Sequence, residues 1–378
     1  MPLNVLIVPD KFKGTLTARA AAGLIAAGWH GARPEDKLDL LPMSDGGDGF
    51  GEVLSRLLKV EELTVSTLDA AHRPQQAPWW WDPDTGTAII ESARIIGLAL
   101  LPANKFHPFD LDTFGLGAAL KAAADIGARH CLMGIGGSAT NDGGFGVARS
   151  LGWRFLDEHE QPIEQWRQLS SLQRICPPAP AEKSPQLLVA VDVRNPLLGA
   201  AGATRVYGPQ KGLRPEEFEH AEKCLSRLAE VVERDLRLDA AAEPGAGAAG
   251  GLGFGLRCFF NARFESGFNL FARYARLQER IRAAQLVLTG EGAIDTSTLM
   301  GKGVGEIARL CLEAKVPCIG LAGTVRNSEL MEQGLEHSFT RVFGIAPHLT
   351  TPELAVRDPG VWLPRLAAEV ARNWPGPR

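Results

Sequence analysis

Asn4-Val5-Leu6-Ile7-Val8-Pro9-Asp10-Lys11-Phe12-Lys13-Gly14-Thr15 opens the chain with an apolar run that stops at a proline and turns at once into charge and glycine. Residues 5–8 show no polar alternation, so both faces of the segment call for burial, as in a strand of a parallel sheet covered by helices. The same design recurs at residues 88–90, 131–135, 187–191, 286–288 and 318–321. Between these runs, helical patterns cover residues 17–27, 49–58, 113–124, 216–234, 303–314 and 363–372. Strand and helix alternate, and the fold class this predicts is α/β.

A length of 378 residues is enough for two cores, since single cores stop growing near roughly 250 to 300 residues. Two breaks interrupt the alternation. Residues 69–84 hold Pro74, Pro78, Pro83 and the run Trp79-Trp80-Trp81, and read as a crossing between units. Three adjacent rings on one strand cannot all face one core, so at least one is expected on an interdomain or strand-edge surface. Residues 239–255 are rich in glycine and alanine but lead into a helical pattern, which favours a tight loop before a helix over a linker.

A formal charge of −4 argues against a broad basic face, so neither nucleic acid nor an anionic membrane is an expected partner. The six cysteines stand apart without a C-x-x-C pair and read as reduced core thiols. No apolar stretch reaches the ~20 residues of a membrane helix. The first residues lack a basic start and an apolar signal region, and a cytoplasmic location is expected.

Five segments share one layout: a strand ends and the chain turns through glycine while presenting Asp, Lys, Ser or Thr. Ligands of open α/β sheets collect beyond the carboxyl ends of strands, where helix N-termini offer unpaired N–H groups. The first segment is Asp10 to Thr15, with Lys11 and Lys13 flanking Phe12 and Thr15 available to cap the next helix. In the second, Ser44-Asp45-Gly46-Gly47-Asp48-Gly49, two carboxylates suit Mg²⁺ held through water. The third, residues 134–144, carries Ser138, Thr140 and Asn141. Asp192 ends a strand in the fourth, and Lys211 sits on a later glycine turn. The fifth holds Gly290, Glu291 and Asp295, with Lys302 before the next helix.

The segment 134–139 also fits G-x-G-x-x-A, with Asp157 further on, so a dinucleotide reading stays open. Against it, Thr140-Asn141-Asp142-Gly143-Gly144 is a poor helix start. No P-loop spacing occurs, because Gly303 follows Gly301-Lys302 and Thr296 stands where its first glycine belongs. H-E-x-x-H is absent as well, and the eight histidines are scattered.

Taken in order, the five segments with Asn195-Pro196-Leu197, residues 208–212 and residues 247–253 resemble the bacterial glycerate kinases of the first type over nearly the whole chain. The resemblance implies ATP and Mg²⁺ as cosubstrates and D-glycerate as acceptor, with 2-phosphoglycerate favoured over 3-phosphoglycerate. It implies two α/β domains with the active site in the interdomain cleft. One is a flavodoxin-like doubly wound parallel-sheet domain built from residues 1–75 and 285–378. The other is an inserted α/β domain, residues 76–284. A homodimer is one assembly state left open.

Asp192, Lys11 and Asp45 are the expected catalytic residues, with Asp192 first choice for the base from its place at a strand end. Asp10, Lys13, Ser138, Thr140, Asn141, Lys211, Gly290, Glu291, Asp295 and Lys302 are expected to bind substrate or phosphate. Asp45, Asp192 and Asp295 are expected to hold metal. The chain departs from the family pattern at Ala293, at Ser297, at residues 94–96 and at residues 107–110. Two other classes remain open: an NAD-dependent hydroxy-acid oxidoreductase using residues 134–139, and a non-catalytic hydroxy-acid sensor.

Overall fold

The computed structural model describes residues 2–44, 46–47, 49–179, 184–295, 298, 303–325 and 339–375. The chain divides into two compact units, residues 1–45 with 268–378, and residues 46–267. In chain order the strands are β1 (Asn4–Pro9), β2 (Lys37–Leu40), β3 (Glu61–Leu68), β4 (Pro74–Asp82), β5 (Thr87–Glu91), β6 (His130–Gly134), β7 (Arg154–Leu156), β8 (Arg174–Cys176), β9 (Gln186–Ala190), β10 (Arg263–Glu265), β11 (Leu286–Ile294), β12 (Cys318–Val325) and β13 (Arg341–Ala346). The helices that matter below are α1 (Ala18–Ala32), α2 (Phe50–Leu58), α3 (Ala203–Lys211), α4 (Ala248–Phe260), α5 (Val304–Ala314) and α6 (Pro359–Asn373).

The first unit is a sheet in the order β2-β1-β11-β12-β13, with every pairing parallel. Renumbered within the unit this is 2-1-3-4-5, the flavodoxin-like doubly wound order. The apolar run that opens the chain is buried from Val5 onward, as a central strand requires. One face packs Val5, Ile7, Leu288 and Ile319 against Ile25 and Trp29 of α1 and Leu363 of α6. α5 contacts β11 and β12 but stays outside that cluster, so it covers the other face.

The second unit carries a mixed sheet in the order β10-β9-β6-β5-β4-β3. β10, β9, β6 and β5 run parallel, while β4 and β3 are antiparallel additions. Residues 69–84 are therefore no crossing between units: they lie within a hairpin, with Leu63 opposite Trp79 and Trp80 opposite Ile89. The pleat resolves the tryptophan run. Trp79 and Trp81 pack on the core of one face, and Trp80 points the other way, against Gly51 of α2.

The unit boundaries accordingly fall earlier than the expected 75/76 and 284/285, at 45/46 and 267/268. β3 and β4 are hydrogen-bonded into the second sheet, which ties residues 61–82 to it. Residues 268–285 belong with the first unit, where Arg280 pairs with Asp39 at 2.7 Å and Ile281 is buried. The glycine-rich stretch is a tight loop, as expected: Ala249, Gly250 and Gly251 adopt left-handed conformations before α4 continues to Phe260. All six cysteines are free thiols.

The contact between α2 and β4 predicts a contrast. A Cβ at Gly51 would lie 1.9 Å from the Trp80 ring, whereas one at Gly23 of α1 meets nothing within 4 Å. Gly51→Ala should therefore lower stability by about 1–3 kcal/mol through overpacking, and Gly23→Ala should raise it by about 0.5–1 kcal/mol. Urea unfolding measures both. Equal midpoints for the two variants would contradict this packing.

Candidate active site

In the first unit the strand order reverses between β1 and β11, so a crevice opens beyond their carboxyl ends. Two of the expected segments flank it. Pro9 stands opposite Gly290, and the Asp10 N–H donates to the Gly290 carbonyl at 2.8 Å. Asp10 turns its Oδ1 back to accept from the Lys11 N–H at 2.7 Å. Phe12 is buried and holds the loop through its carbonyl, which accepts from Thr15 Oγ1 at 2.9 Å. The anchored ring sets the neighbours: Lys11 is half-buried and Lys13 exposed. Thr15 does not cap the helix; Thr17 does, accepting from the Ala20 N–H at 3.1 Å.

β11 runs past the end of β1, so Gly290 and Glu291 lie within a strand and not on the turn after it. The overhang pairs with β12, Glu291 opposite Ala322. A Cβ on Gly292 would lie 3.4 Å from the Lys13 backbone nitrogen, which places the overhang beside the first loop. Glu291 Oε1 accepts from Thr298 Oγ1 at 2.9 Å, and Thr298 Oγ1 accepts from the Asp295 N–H at 3.2 Å. Thr298 thus ties Glu291 to Asp295. The structure brings together Asp10, Lys11, Lys13, Gly290, Glu291 and Asp295; Asp45, Asp48, Ser297 and Lys302 lie outside the described residues.

The second unit gathers the other segments at the carboxyl ends of β5, β6 and β9. The Gly136 N–H donates to the Gly46 carbonyl at 3.3 Å. A Cβ on Gly136 would sit 2.6 Å from the Gly47 Cα, so only glycine admits this approach of two backbones. Asp192 lies just past β9 and joins it to the end of β10, with Oδ1 accepting from Ser266 Oγ at 2.7 Å and from the Gly267 N–H at 3.0 Å.

Lys211, at the end of α3, is buried, and its Nζ donates to Ser138 Oγ at 3.0 Å and to the Thr140 carbonyl at 2.6 Å. Burial pulls its ammonium down to about 7, against the upward pull of the Asp142 carboxylate. Asp142 is itself pushed up to about 6, first by burial and then by Asp112. Three donors restrain that rise: the N–H groups of Gly146 and Thr113 and the Thr113 hydroxyl at 2.8 Å. Thr140 and Asn141 are fully buried. Asn141 Nδ2 donates to Thr204 Oγ1 at 3.1 Å, while Asn141 Oδ1 and Thr140 Oγ1 have no partner among the described residues. Buried polar atoms left in this state are suited to internal water.

Sequence reasoning passed over Glu91, Thr113, Asp142 and Thr204. Glu91 had a usable signal, an acid directly after an apolar run, as Asp10 and Asp192 also are. For Thr113 and Thr204 there was none, because their partners are 29 and 63 residues away. Among the described residues no three His, Cys, Asp or Glu side chains gather into a cation cage.

The class these features define is a doubly wound α/β protein whose strand ends present carboxylates, lysines and close-packed glycine loops. Comparison gives the family. Residues 5–375 match the Glycerate kinase family, and the chain belongs to it. A glycerate kinase of Halalkalibacterium halodurans is 35% identical over 371 residues, 97% of each chain. The glycerate 2-kinase of Escherichia coli is 34% identical over 358 residues, 94% of this chain and 93% of its own. A crystal structure from Salmonella typhimurium LT2, named as a glycerate kinase 2, is similar with a TM-score of 0.79 at 32% identity, covering 98% of this chain and 97% of that one.

The buried Lys211 and Asp142 predict a pH dependence. The unfolded chain keeps the Lys211 proton up to its ordinary 10.5, the folded chain only to about 7. Across that window the unfolded state binds more protons, so this lysine's contribution to stability rises with pH. Asp142 acts oppositely lower down: the fold retains its proton to about 6 against an ordinary 3.8, so its contribution falls as pH climbs between them. Lys211→Met should flatten the rise of the urea midpoint between about 7 and 10.5. A variant curve parallel to that of the unaltered chain would contradict the assignment.

Proposed function

We propose that the chain transfers the γ-phosphoryl group of ATP to D-glycerate, giving 2-phosphoglycerate and ADP. The observation that carries the proposal is the β1/β11 switch point, where Asp10, Lys11 and Lys13 adjoin Gly290 through Asp295 in a chain of the glycerate kinase family. The name of the Escherichia coli relative supports the 2-position over the 3-position. The proposed setting is the cytoplasm, where ATP is supplied; among the described residues no helix is long and apolar enough to cross a membrane.

Phosphoryl transfer asks a protein chiefly for in-line positioning and for positive groups against the transferring oxygens. In this reading Lys11 and Lys13 face phosphate or the glycerate carboxylate, and Lys302 is proposed for the same role. Ammonium groups there offset charge that spreads over the phosphoryl oxygens. Asp192 accepts the proton of the attacking hydroxyl; its Oδ1 bonds to Ser266 and Gly267 fix the carboxylate's orientation for that task. Lys211 contributes by holding Ser138 and Thr140 in place.

Mg²⁺ is the proposed cosubstrate cation. As a hard cation it takes one or two carboxylates together with nucleotide phosphates, and Asp45, Asp192 and Asp295 are the proposed carboxylates. When bound it supplies positive charge to the phosphate oxygens. A resident cation would need a fuller cage than the described residues offer.

An assay for ADP release with D-glycerate, glycolate and tartronate as acceptors tests the reaction. D-glycerate should be preferred, and ³¹P spectra should show the 2-phosphate ester. No ADP with any of the three, or oxidation of the acceptor with NAD, would overturn the proposal. Asp192→Asn should lower kcat by at least about 100-fold with little change in melting temperature. Near-normal turnover would remove Asp192 from the role of base.

A further inference from the structure

Glu91 is the last residue of β5 and is only 2% exposed. No step of the proposed reaction uses it. Its two carboxylate oxygens are both engaged by backbone: Oε1 accepts from the Gly49 N–H at 2.8 Å and Oε2 from the Gly51 N–H at 3.0 Å. Gly49 is the cap of α2, sits at φ 89° and has no side chain to accept a first-turn N–H. A carboxylate 42 residues further along the chain therefore fills the place of a local capping oxygen.

Two residues earlier in the chain, the Gly46-Gly47 backbone packs on the end of β6 through Gly136. Beside it, the Ser92 N–H donates to the Gly134 carbonyl at 2.9 Å, so Glu91 stands at a fixed edge of that strand end. Arg94 lies 3.6 Å from Glu91 Oε1 and 3.6 Å from Glu52 Oε2. At that distance it does not compete for the hydrogen bonds that Gly49 and Gly51 donate.

We propose that Glu91 is a positioning residue for phosphoryl transfer, bracing the backbone at Gly46, Gly47 and Gly49 against the carboxyl ends of β5 and β6 so that it meets substrate in one orientation. This rests on the kinase reading above. A two-oxygen grip fixes direction as well as place, and small displacements of a reacting loop cost rate far more than affinity.

Glu91→Gln keeps the shape but sets an NH₂ donor against one of the two backbone N–H groups. Its kcat should fall about 10- to 100-fold while KM for ATP and D-glycerate stays within about threefold. The amides of Gly49 and Gly51 should lose hydrogen-exchange protection, with exchange elsewhere unchanged. Glu91→Asp keeps the charge one methylene short and should give a smaller loss of kcat; it decides the matter if the glutamine variant does not fold. An active parent with kcat unchanged in the folded variant overturns the positioning role alone. A fall in activity that merely tracks global loss of protection also overturns it, by reducing Glu91 to a structural acid. An inactive parent overturns the kinase reading and the inference with it.

Discussion

The parallel pairing of β1 with β11 is the constraint on which the first unit depends. It joins segments far apart in the chain, with Thr289 Oγ1 donating to the Val8 carbonyl across 281 residues. Burial of Val5 to Val8 and of Leu286 to Leu288 drives that pairing. Once it forms, the strand order reverses there, and whatever follows Pro9 must lie beside whatever follows Thr289. Charge brought to such a position faces a crevice and not a packed helix. The chemistry of the unit follows from the register of one pair of strands.

In the second unit a similar result comes from close backbone packing. Gly136 against Gly47 permits two loops to touch where side chains would hold them apart. Lys211 then enters from α3 and bonds the loop it reaches. An ammonium and the Asp142 carboxylate share this interior, each bonded to groups of the fold. Such an arrangement is costly to desolvate and is expected where orientation matters more than stability.

The α/β class was legible because continuous apolar runs carry an unambiguous signal: buried strands need no polar face. The flavodoxin-like half was an implication of the family resemblance and not of the apolar runs, and the chain does take the 2-1-3-4-5 order. The unit boundary was not legible. Pro74, Pro78 and the tryptophan run look like a break, yet they form antiparallel strands added to the parallel sheet; proline is tolerated there and the rings divide between two faces. For the candidate site, residues that follow strands can be placed by position, and the structure puts Asp10 and Asp192 at strand ends. Glu91 accepts from the Gly49 N–H and Asp142 from the Thr113 N–H, 42 and 29 residues away, and no local pattern encodes such partners. The extension of β11 through Gly290 and Glu291 was hidden because glycine masks strand propensity.

Amide hydrogen exchange with and without a non-hydrolysable ATP analogue tests the switch point most directly, since it reads binding at the strand ends independently of turnover. Exchange should slow at residues 10–15 and 290–295 when the nucleotide is present. If those amides exchange at the same rate in both states while protection appears elsewhere, the β1/β11 crevice is not where phosphate is held.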